Sequence, residues 1–117
     1  MIRYDSKNEN LVNAMINLGL KISNSGFQYI LDAIDIIKEY KDEIPKQMYI
    51  YDKVAEINNV TATRVERCMR HEIKLYYDTF ANIPKELTPN IFSYTGRLTC
   101  KEFITKLAYM FKRDGIL

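Results

Sequence analysis

The 117-residue chain has no tryptophan, one histidine, two cysteines, three prolines and four glycines. Its cysteines, Cys68 and Cys100, form no CxxC pair, and His71, three residues after Cys68, is the one histidine, too few ligands for a zinc set. Neither a zinc site nor a disulfide framework is expected from that pattern, and no metal or cofactor is expected. No apolar run approaches the roughly 18–20 residues of a membrane span. The opening MIRYDSKNEN lacks the apolar core of a signal peptide. A reducing, cytoplasmic setting without a membrane partner is therefore expected. No glycine-rich phosphate loop is present. The one histidine, His71, stands among arginines, so an enzyme is not expected. Formal net charge is only +2. A case for nucleic acid must come from where the charge sits, not from how much there is.

The scarcity of glycine and proline leaves long uninterrupted stretches, and these carry helical periodicity. From Ser6 to Leu18 the apolar positions are Leu11, Val12, Met15, Ile16 and Leu18, with Gly19 as a stop. A second stripe comprises Phe27, Ile30, Leu31, Ile34 and Ile37, capped by Asn24 or Ser25. Pro45 suits the first turn of a third helix from Ile44 to about Ile57, and Asn58-Asn59 should end it. A fourth helix opens at Thr61 or Thr63 and runs to about Tyr77, and Thr63-x-x-Glu66 has capping-box spacing. Pro84 and Pro89 limit the next segment to short turns. Thr99-x-x-Glu102 opens a last helix bearing Phe103, Ile104, Leu107, Ala108, Met110 and Phe111, with Gly115 at its end. The expected fold is all-α, one domain over 1–117, a compact bundle of about five to six helices.

The fourth helix crowds its charge. With Val65 set at zero and about 100° per residue, Cys68, Met69, Glu72, Ile73 and Tyr76 fall within roughly 80° of it. Glu72 is expected at the edge of that buried side. Thr63, Arg64, Glu66, Arg67, Arg70, His71 and Lys74 share the other face. A solvated face is the plain explanation. Yet three arginines at positions 64, 67 and 70 exceed what solubility requires. A guanidinium also presents a flat fork that grips guanine O6 and N7. The preceding turn adds weight. Ala55, Val60 and Val65 are spaced by five residues each. That is the spacing of a helix-turn-helix: a small residue where the helices approach, an apolar residue at the corner, and another that docks the second helix. The unit would span about residues 47–77.

These residues carry a resemblance. The stretch YDKVAEINNVTATRVERCMRHEIKL resembles the C-terminal DNA-binding effector domain of the stage-zero sporulation master regulator family. Tyr51, Val54, Ala55, Thr61, Thr63, Arg64, Val65, Glu66, Arg67, Met69, Arg70, His71 and Ile73 match the family's pattern. The likeness extends more weakly over roughly residues 10–112, including FSYT at 92–95 and TCKEFITKLA near the end. It implies a transcription regulator whose recognition helix, about 62–77, enters the major groove of double-stranded DNA. Glu66, Arg67 and Arg70 would read bases. Thr61, Thr63, Arg64, His71 and Lys74 would hold phosphates or neighbouring bases, with Arg97 or Lys101 adding phosphate contacts. RNA polymerase and a second copy on tandem DNA boxes are the further partners implied.

Three departures bear on this. Family members carry a receiver domain, and none is expected within this chain, which is read as an excised domain or a stand-alone relative, the start MIRYDS slightly favouring the latter. Asn58 stands where an apolar residue is expected just before the turn. The segment between Tyr94 and Thr99 is shorter than usual, which touches contacts to the transcription machinery. The alternative reading is a helical protein-interaction or adaptor module that keeps the fold and no longer reads DNA. Cys100, near a helix start, is a candidate for a lowered thiol pKa, and His71 for a pH-sensitive contact.

Overall fold

The computed structural model describes residues 9–40, 43–81, 83–84 and 98–117. Each apolar stripe becomes the buried side of a helix: α1 Glu9–Leu18, α2 Ser25–Ile37, α3 Gln47–Asn58, α4 Ala62–Phe80 and α5 Cys100–Arg113. No strand occurs among the described residues. The segment 85–97, with FSYT, Gly96 and Arg97, lies outside them, as do residues 1–8, where the first helix was expected to begin.

The middle of α2 is buried on nearly every side, from Gly26 through Ile34. A helix apolar all round belongs in the centre of a bundle. Accordingly α2 packs against α3, α4 and α5. Phe27, Ile30, Leu31 and Ile34 meet Met15 of α1, Ile50 and Val54 of α3, Val65, Met69 and Ile73 of α4, and Phe103 and Leu107 of α5 in one continuous core.

Three helices end in the same way. Gly19, Asn59 and Gly115 take positive φ values of 114°, 54° and 77°. In each case the following N–H reaches back to a carbonyl five residues earlier: Leu20 to Met15, Val60 to Ala55, and Ile116 to Phe111. These are Schellman closures, each pairing an apolar residue past the stop with one inside the helix. Asn59 is the one non-glycine residue in the left-handed region among the described residues, a conformation that asparagine tolerates. The stops expected at Gly19, Asn58-Asn59 and Gly115 are all present.

One helix start differs from expectation, and another decides between two expected caps. Lys46 is extended, with φ −60° and ψ 147°, so α3 begins only at Gln47 and Pro45 precedes it. Thr61 caps α4, accepting from the Arg64 N–H at 3.1 Å. Thr63 therefore lies inside the helix, and the Thr63–Glu66 capping box does not form. The Thr99–Glu102 box does form at α5. The Thr99 N–H donates to Glu102 Oε1 at 2.8 Å, and that bond holds the Glu102 carboxyl below the ordinary range. Helix α4 continues past Tyr77 to Phe80 because its last turns are gripped by aromatic packing. Tyr76 lies edge-on to Phe80 at 5.1 Å and to Phe103 at 5.6 Å. The Tyr76 hydroxyl donates to the Leu18 carbonyl at 2.9 Å, and the Tyr77 hydroxyl accepts from the Leu98 N–H at 3.0 Å.

Asn58 replaces an apolar corner with a polar clasp. Its amide donates to Asp32 Oδ2 and to the Val54 carbonyl, both at 2.8 Å. Asp32 is buried and also accepts from Gln28 at 2.9 Å. A buried carboxylate with hydrogen-bond donors around it is tolerated where a bare one is not.

The tightest approach lies between α2 and α4. A Cβ built on Gly26 would come within 2.4 Å of the Cys68 carbonyl oxygen and 2.7 Å of Glu72 Cβ. Only glycine fits. Glu72 is not at the edge of the apolar side but inside it, 2% exposed. Burial is possible because its carboxylate meets two donors of the α1–α2 turn, the Lys21 N–H at 3.0 Å and the Asn24 side-chain amide at 2.9 Å.

Gly26→Ala is expected to cost about 1–3 kcal/mol through overpacking, lowering Tm by roughly 10 °C, read by circular dichroism. Glu72→Ala leaves two donors without an acceptor, a loss of about 1–3 kcal/mol. Glu72→Gln, which keeps an acceptor oxygen, is expected to lose less. Denaturant midpoints of the two variants check the order.

Candidate nucleic-acid interface

Helix α4 is held on its inner side by Val65, Met69, Glu72, Ile73 and Tyr76, all buried. Helical geometry then leaves Thr63, Arg64, Arg67, Arg70, His71 and Lys74 on the outside, and each is exposed. The residues expected to act together therefore share one face. Glu66 is half-buried at its margin, and Cys68 sits partly buried against the core.

The side chains on this face differ in how they are held. Thr61 is committed to capping. Arg64 Nε donates to the Tyr29 hydroxyl at 3.4 Å. That bond favours the charged guanidinium and raises its pKa further. Tyr29 itself is buried in α2, so the arginine at the head of the helix is tied to the central helix. Arg70 pairs with Glu66 one turn back. Lys74 pairs with Asp78 one turn on, at 3.1 Å. Exposed pairs of this spacing are worth only a few tenths of a kcal/mol, so an incoming phosphate or base can displace them. Arg67 and His71 pair with no side chain among the described residues.

The face continues sideways into a cleft of about 540 Å³ between the starts of α3 and α5. Arg70 and Lys74 form one wall, Gln47 and Tyr51 another, and Thr99, Cys100 and Lys101 the third. Three cations thus border one concavity beside the basic helix. Arg97, expected nearby, lies outside the described residues.

Cys100 is corrected by the structure. It occupies the first position of α5, yet burial pushes its thiol pKa up, outweighing the hydrogen bond with Tyr51 and the charge of Arg70, which act the other way. Gln47 Nε2 approaches the sulfur at 3.8 Å. A helix start lowers a thiol pKa only when the sulfur is solvated enough to ionise. Burial also raises the Tyr51 hydroxyl beside it.

Sequence reasoning missed the Tyr29 tether and the depth of Glu72. Tyr29 lies in the second helix but off its apolar stripe, and nothing in its spacing points to an arginine 35 residues on. The Gln47–Tyr51 wall is likewise a product of folding.

A short turn joins α3 to α4, and α4 presents a basic outer face within an all-helical bundle. The family described as "Sporulation initiation factor Spo0A C terminal" matches residues 11–110, and the chain belongs to that family. Its setting is DNA binding and transcription regulation in sporulation, and it is not a family of enzymes. No helix of the described residues is long and apolar enough to cross a membrane, and no group of metal-binding side chains occurs among them.

With its thiol pKa raised, Cys100 holds less thiolate at pH 8 than an unperturbed cysteine. Iodoacetamide is expected to alkylate it several-fold more slowly in the folded protein than after denaturation, as followed by peptide mass spectrometry.

Proposed function

We propose that the chain is a sequence-specific reader of double-stranded DNA that regulates transcription, with α4 lying in the major groove. One observation supports this above the others: Arg67, Arg70, His71 and Lys74 project from one rigidly backed helix face. Arg67, unpaired by any described neighbour, donates to guanine O6 and N7. Arg70 does the same, and Glu66 orients it or accepts from cytosine N4. A good bidentate contact contributes about 1–3 kcal/mol of discrimination. Thr61 and Thr63 at the start of α4 meet phosphate, where backbone N–H groups and the helix dipole favour an anion. Arg64, His71, Lys74 and Lys101 add contacts to phosphates or neighbouring bases, and with them salt dependence. One module of this size reads few bases, so useful selectivity needs two copies on adjacent boxes. RNA polymerase is the partner through which such a regulator would act.

Selection from a random duplex library is expected to enrich a short motif containing G·C pairs. Arg67→Ala should lose that motif while keeping weak general binding. Lys74→Ala should weaken all duplexes alike and lower the log–log salt slope by about 1. Equal loss on selected and random DNA for Arg67→Ala would refute base reading. No enrichment from the parent would favour the interaction-module alternative.

A further inference from the structure

A second surface shares no residue with α4. Between α2 and α3 lies a cleft of about 320 Å³ whose lining includes Asp35, Glu39, Tyr40, Tyr49 and Ile57. Three of these are large apolar or aromatic side chains left open to solvent: Tyr40 at 40%, Tyr49 at 41% and Ile57 at 51% exposure. Single exposed hydrophobics are ordinary, but their convergence on one concavity is not. The two tyrosines bond hydroxyl to hydroxyl at 3.4 Å, which sets their rings as one wall before any partner arrives. Asp32, Asp35 and Glu39 supply three carboxylates to the lining. Among the described residues its lining holds one ammonium, Lys53, which lies over the Tyr49 ring at 5.7 Å and 4.0 Å from Glu56. Asp35 Oδ1 is buried and pairs with the Lys38 ammonium at 3.1 Å, while the Asp35 side chain as a whole is 31% exposed.

We propose that this cleft docks a basic amphipathic helix of a partner protein. An aliphatic or aromatic side chain of that helix would seat between Tyr40, Tyr49 and Ile57. Lys or Arg residues one turn away would meet Asp35 and Glu39. Charge selects the partner. Carboxylates repel nucleic acid and acidic peptides, and the apolar wall gives a highly charged tail nothing to bury. Because the cleft and α4 have no residue in common, a partner can sit here while α4 is occupied. The inference goes beyond the DNA reading and does not rest on it.

The test is selection of binders to the full chain from a displayed library of random helical peptides. Enriched peptides should carry Lys or Arg one turn from a large apolar residue. They should bind Glu39→Lys/Ile57→Asp at least tenfold more weakly, with circular dichroism of that variant unchanged. Both positions are exposed, so folding should survive. Glu39→Gln, which only removes charge, should give a smaller loss. An empty selection, enrichment of acidic peptides, or peptides indifferent to the double variant would overturn the proposal. So would a concentration-dependent dimer in sedimentation that the same variant abolishes, since that assigns the cleft to a second copy.

Discussion

The whole arrangement depends on how closely α2 and α4 cross. At Gly26 the two backbones meet with no room for a methyl group. That contact fixes the separation of the central helix from the basic helix. One turn further along α4, the Glu72 carboxylate takes the Lys21 N–H and the Asn24 amide of the turn that leads into α2. The first contact sets distance, and the second sets rotation. A helix with Glu72 turned inward must present Arg67 and His71 outward. The outer chemistry of α4 is thus determined by a glycine and a carboxylate on its hidden side.

The same logic operates at the other end of the helix pair. The Schellman closure through Ala55, Asn59 and Val60 ends α3, and Thr61 at once caps α4. The reversal is compact because no residue between the helices is idle. Asn58 then fastens the corner to Asp32 of α2. An apolar residue there would leave Asp32 with one donor fewer in a buried place. The two polar residues make sense only as a pair, which is why Asn58 looked out of place when read alone.

Most of the fold was legible because it is written in period 3.6 and in stop signals. Gly19, Asn59 and Gly115 act locally, within a few residues of where they stand. The Thr99–Glu102 box is local as well. The failures share a different cause. Glu72 falls within about 20° of Val65 by helical arithmetic, but a carboxylate is expected no deeper than the edge of an apolar face on residue type. Only its partners 48 and 51 residues away make burial affordable. Thr63 had the right spacing for a cap but lost to Thr61, since Val60 had already set where the turn ends. Cys100 was judged by its place on a helix, whereas its environment is set by Tyr51 and Gln47 from α3. For the candidate site, membership of the basic face followed from the sequence. The tethering of Arg64, the pairing of Arg70 and Lys74, and the side cleft did not, because each joins residues through space.

The length of α4 has a mechanical side. It has 19 residues, and at 1.5 Å per residue it is about 28 Å long, more than twice the roughly 12 Å width of a major groove. It is a beam pinned along its length and not at one end: the Tyr29 hydroxyl holds Arg64, Val65 and Met69 sit in the core, Gly26 meets Cys68, and Tyr76, Phe80 and Phe103 pack together at the far end. Arg64 and Tyr76 are twelve residues apart, about 18 Å along the axis, and neither can shift without moving every contact between them. The outer face of α4 therefore travels with the whole bundle, as one rigid edge.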